Sequence, residues 1–156
     1  MSYYALINCN LIDGVEPGLQ AGMTVLARGG ELEQIGESSE VEIPDGYRVI
    51  DISGKYVMPG LINAHIHLLG SGKPIKAMSS EKSMRRTARL LDSLPGHVIV
   101  ANMVRKHAFV ALNSGVTTMR CVGDVLYSDV KLRDLIANGK VQGPRLLVSG
   151  PLITPT

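Results

Sequence analysis

His65 and His67 are the residues whose type and spacing most directly suggest chemistry. A neutral imidazole nitrogen suits zinc and similar divalent ions, so two close imidazoles can share one metal. Residues two apart on a β-strand point to the same side, which would set these rings ~6–7 Å apart. A strand over 56–68 therefore predicts that Leu61, Asn63, His65 and His67 face inward together. Ile62, Ala64 and Ile66 would pack outward against helices. The pair also stands at the end of its strand, where barrel enzymes assemble active sites. By itself, a His-x-His run is a weak signal, and a strand that binds nothing carries it more often than a metal site does.

Other candidates carry less. Arg120, at the end of a later strand, could meet a substrate carboxylate at a cleft mouth or form a structural ion pair. Gly70-Ser71-Gly72-Lys73 is not a phosphate loop, because His67 and Pro74 occupy the positions where that motif needs Gly and Ser or Thr. It could instead border a substrate cleft. His107 reads as a core or boundary histidine, His97 as a helix-start residue, and Cys121 as a small buried filler. Lys73, Lys76, Lys82, Arg85, Arg86 and Arg89 read as a solvated helix face.

The elements that must position these side chains change character near residue 55. Residues 1–55 read as a small antiparallel β unit, with strands at 3–12, 23–27, 31–36, 41–43 and 47–52 separated by Asp-Gly, Gly-Gly and Pro-Asp-Gly turns. From Lys55 onward strands alternate with helices. A helix capped by Ser79 or Ser80 ends at Pro95-Gly96, and a second runs from about His97 to Asn113. A strand at 116–122, a helix at 130–137 and a strand at 144–149 complete a β-α-α-β-α-β order, which implies parallel strands. Charge changes at the same place: nine acids face two bases up to Asp51, and five acids face fourteen bases after it. That sign change suggests two structural layers.

Composition narrows the function classes. The chain has 156 residues, 45% of them apolar and 19% charged, which fits a core-forming protein. Five Tyr, one Phe and no Trp argue against a base-stacking surface, and a net charge of +2 is small for a nucleic-acid binder. No apolar run approaches the ~20 residues of a membrane span. Two separated cysteines and a start without basic residues lead to the expectation of a cytoplasmic protein.

The run Met58-Pro59-Gly60-Leu61-Ile62-Asn63-Ala64-His65-Ile66-His67 resembles the signature of the amidohydrolase superfamily. The resemblance continues through 111–120, 132–139 and 143–150, and is strongest to the imidazolonepropionase-like and Xaa-Pro dipeptidase-like branch. It implies an α/β protein with an N-terminal β-sandwich segment over 1–55. The first three strands of a TIM-type (β/α)8 barrel would follow over 56–156, with the barrel incomplete in this chain. It also implies one or two divalent metal ions, zinc foremost, with His65 and His67 as ligands. In the family a strand-four Lys or Glu, two later His and a strand-eight Asp complete the site. Metal-activated water then hydrolyses an amide or dipeptide-like C–N bond. Only His65 and His67 carry over, and Cys121 stands where related sequences often have Asp.

A full barrel takes ~250 residues, so the chain is expected to be a truncated, inactive N-terminal piece and to form a homo-oligomer. Its expected partner is a small amide or dipeptide substrate, not nucleic acid or a membrane. The competing expectation is a non-catalytic fragment that serves as an interaction or assembly module.

Overall fold

Gly29 and Gly30 both take positive φ, a conformation glycine adopts without steric cost, and they turn one strand back on the next. A computed structural model describes residues 2–70, 80–151 and 153 of the chain, which divides into two compact units, Met1–Pro59 and Gly60–Thr156.

The first unit is one mixed sheet. β1 (Tyr3–Leu11), β2 (Gln20–Arg28) and β3 (Glu31–Glu37) pair antiparallel, with β2 in the middle. β4 (Arg48–Asp51) and β5 (Tyr56–Val57) then add to the free edge of β1 in parallel, one to each half of it. This corrects the expectation of a purely antiparallel unit. The register of β1 shifts between Leu6 and Cys9, where Asn8 takes positive φ, so the two halves of the strand recruit separate partners. Residues 41–43, expected as a strand, form none: the Val41 N–H turns back to the Glu37 carbonyl at 3.0 Å. Cys9, Leu11, Met23 and Val25 form the buried cluster, with Leu6, Ile52 and Val57 against it.

In the second unit β6 (Leu61–Ile66), β7 (Val116–Cys121) and β8 (Arg145–Val148) are parallel and adjacent in that order, as the alternating pattern predicts. α1 (Glu81–Leu91) and α2 (Leu94–Asn113) connect the first two, and α3 (Ser128–Ala137) connects the last two. Val100, Val104 and Ala108 recur every fourth residue along α2 and enter one core with Leu68, Met119, Cys121, Leu132 and Leu146. Each large apolar side chain so buried stabilises the unit by roughly 1.5–3 kcal/mol.

Pro95-Gly96 begins the second helix instead of ending the first. Ser93 caps α2 by accepting from the Gly96 N–H at 3.2 Å, and proline is well tolerated in a first helical turn, where its missing N–H costs nothing. Gly96 sits so close to the end of α1 that a Cβ would overlap the Leu90 and Leu91 carbonyls. Likewise α3 starts at Ser128, two residues earlier than expected, after left-handed Leu126 and Tyr127. The loop residues 71–74, Ser79 as a cap, and the bases Lys73 and Lys76 lie outside the described residues, as does the side chain of Met84.

Candidate metal centre

β6 reaches His65 before its last residue, and His67 follows immediately beyond the strand. The strict alternation expected for β6 does not hold. Its pairing with β7 shifts register between Asn63 and Ile66, and the His65 N–H turns to the Asn63 side-chain oxygen at 3.2 Å. Ile66 still packs against the core, whereas Ile62, expected to pack against helices, is 72% exposed. Even so, the two imidazoles lie edge to face with ring centroids 5.6 Å apart. Gly60 permits the close approach that starts this strand, since a Cβ there would fall on the Thr117 side chain of β7.

The His67 ring is held in one tautomer. Its Nδ1 lies 2.7 Å from the Gly123 carbonyl oxygen. A carbonyl only accepts, so Nδ1 carries the proton and Nε2 keeps its lone pair, the arrangement a metal-ligating histidine uses. The backbone after it is tethered on both sides. His107 Nδ1 donates to the Leu68 carbonyl at 2.7 Å, and the Leu69 N–H donates to Asp124 Oδ2 at 3.1 Å. The Val122 N–H, just past β7, donates to the Ile66 carbonyl at 3.1 Å.

Asp124 is a buried carboxyl that sequence reasoning did not single out. Burial pushes its pKa up, and the N–H groups of Val125 and Leu69 oppose that rise. Its only sequence signal is a Gly-Asp pair just beyond a strand, which resembles any turn; its importance comes from a contact with Leu69, 55 residues away. Cys121 is buried, with Sγ 3.9 Å from Asp124 Oδ2, and burial pushes its thiol pKa up. That environment makes it a poor nucleophile and fits the filler reading.

Arg120 is exposed near the end of β7, and its Nε donates to the Ala64 carbonyl at 2.8 Å. The three ion pairs among the described residues lie elsewhere: Arg28–Glu33, Arg85–Glu81 and Arg133–Asp134. The structure thus brings His65 and His67 together and ties Arg120 to Ala64 of β6, the strand that carries His65. Among the described residues no third His, Cys, Asp or Glu completes a metal-holding group with them.

A family-wide sequence profile described as the amidohydrolase family matches residues 56–156. The chain belongs to the amidohydrolase family. Solved structures agree: this amidohydrolase chain is 36% identical to a candidate prolidase from Bifidobacterium longum, with a TM-score of 0.73. That match covers 97% of the chain and 31% of the prolidase. A Xaa-Pro dipeptidase with methionine bound in its active site is 27% identical, with a TM-score of 0.72 over 97% of this chain and 34% of that one. A dihydroorotase of Geobacter metallireducens is 36% identical over 59 residues, 38% of this chain and 13% of that protein. The amidohydrolase chain therefore spans about a third of the length of these solved structures. Among the described residues no helix is long and apolar enough to cross a membrane.

Proposed function

We propose that the protein serves a metal-dependent hydrolase acting on an amide or dipeptide-like C–N bond, with His65 and His67 as ligands to a divalent metal, zinc foremost. The observation that carries this reading is the His67 Nδ1–H bond to the Gly123 carbonyl, which aims a free Nε2 lone pair out of the ring beside His65. The donor set fits a borderline-soft ion that accepts nitrogen ligands. Such an ion, when bound, polarises a carbonyl and lowers the pKa of water towards neutrality. The residues of this chain do the positioning. Gly123 fixes the His67 tautomer, His107 and Asp124 hold the backbone of Leu68 and Leu69, and exposed Arg120 offers a cation to a substrate carboxylate. The likeness to a Xaa-Pro dipeptidase supports a dipeptide as the substrate class.

Two ligands leave zinc short of its usual four, so this chain is expected to bind zinc weakly and to release it to a chelator. Calorimetric titration with zinc tests the assignment. Binding should disappear in the His65→Ala, His67→Ala double variant; equal binding by the double variant would show that the ligands lie elsewhere.

A further inference from the structure

Away from the histidines, residues of α2 and α3 line a half-open cavity of about 150 Å³. Its walls are apolar, formed by Val100, Val104, Leu126, Leu132, Leu135 and Val141. Its polar lining is His97, Asn102, Arg105, Ser128 and Lys131, and none of the lining residues is acidic. Ser128 is 5% exposed, and its hydroxyl has no hydrogen-bond partner among the described residues. A buried hydroxyl without a partner is costly, and native structures usually give it one. Asn102, Arg105 and Val141 also line an adjoining open groove, where Lys106 and Lys140 add two more cations.

We propose that this cleft binds a medium-length aliphatic carboxylate, because an apolar cavity near 150 Å³ accepts a group of about six carbons and its open side leaves room for the head. The apolar walls take the tail, which water leaves readily. The carboxylate accepts a hydrogen bond from the Ser128 hydroxyl and pairs with Lys131 and Arg105. Ser128 and Lys131 are three residues apart and so share one face of α3, in its first turns, where the helix dipole also favours an anion. Asp129, the acid in that first turn, is already engaged, accepting from the Val130 and Gly150 N–H groups at 2.9 and 3.0 Å. Inorganic phosphate is disfavoured because most of the lining offers it no hydrogen bond.

The test is a nitrogen–proton NMR titration of the full chain with octanoate, 1-octanol and inorganic phosphate in parallel. Octanoate should saturate with shifts centred on Ser128, Lys131 and Asn102, while 1-octanol and phosphate bind at least tenfold more weakly. The Arg105→Gln, Lys131→Gln double variant should weaken octanoate at least tenfold and Ser128→Ala severalfold. Both variants should keep the native spectrum without ligand, because the first changes exposed side chains and the second removes one atom. Absence of saturation, equal affinity for 1-octanol or phosphate, or shifts centred on exposed Leu61 and Ile62 would overturn the proposal.

Discussion

The two units use carboxyl groups in opposite ways. In the sheet unit Asp13 and Asp51 lie at turns and are held ionised by hydrogen bonds. Asp13 accepts from the N–H groups of Val15 and Glu16 and the Gln20 amide, Asp51 from the Ser53 hydroxyl and N–H, and both pKa values are lowered. In the α/β unit Asp124 is buried, and burial raises its pKa. One unit places carboxylates where water and turn N–H groups stabilise charge. The other places a carboxyl where it clasps the segment after His67, at an electrostatic cost. The general lesson is that the site-bearing unit buries carboxyl groups, Asp124 and Asp129, whereas the described carboxyls of the supporting sheet all stay within reach of water.

The largest test of that contrast is Leu68→Ala. Leu68 is 1% exposed and lies between His67 and the Leu69 tether, so its truncation should destabilise the α/β unit by ~2–5 kcal/mol. Amide hydrogen exchange should show the loss across β6, α2 and β7, with the protection of β1 and β2 unchanged; a uniform loss would mean that the two units unfold as one.

The pH response should be smaller and opposite in sign between the units. A lowered carboxyl pKa contributes stability above the ordinary value of ~3.9, and that stability is lost as pH falls through the lower folded value. Asp13 and Asp51 should therefore weaken the sheet unit only in strong acid. A raised pKa works the other way, because the folded state holds its proton longer. Asp124 should make the α/β unit more stable as pH falls from its raised value towards ~3.9. Unit-resolved hydrogen exchange across this range should show the divergence, and Asp124→Asn should remove the α/β trend while leaving the sheet unit's response in place. The smallest effect is expected at the exposed Glu81–Arg85 pair of α1, where Arg85→Ala should change stability by less than ~0.5 kcal/mol in a thermal melt.

Local pattern carried much of this arrangement. Glycine turns, β-branched runs and capping residues were enough to place the β2–β3 hairpin, the parallel strands 61–66, 116–121 and 145–148, and the His pair at a strand end. Three features escaped, two because they depend on distant partners and one because its local signal reads both ways. The parallel addition of β4 and β5 to β1 is set by a register shift at Asn8. Pro95-Gly96 serves equally as a helix stop or a helix start, and Ser93 decides between them. The site support from Gly123, Asp124 and His107 exists only once the loop after β7 and α2 meet residues 67–69.

The tautomer of His67 tests the central claim most directly. Long-range nitrogen–proton NMR on the metal-free chain should show His67 protonated at Nδ1 and bare at Nε2, and added zinc should move the Nε2 resonances of His67 together with the ring signals of His65. A proton on Nε2 in the metal-free chain, or zinc-induced shifts that bypass both rings, would contradict the metal-ligand assignment.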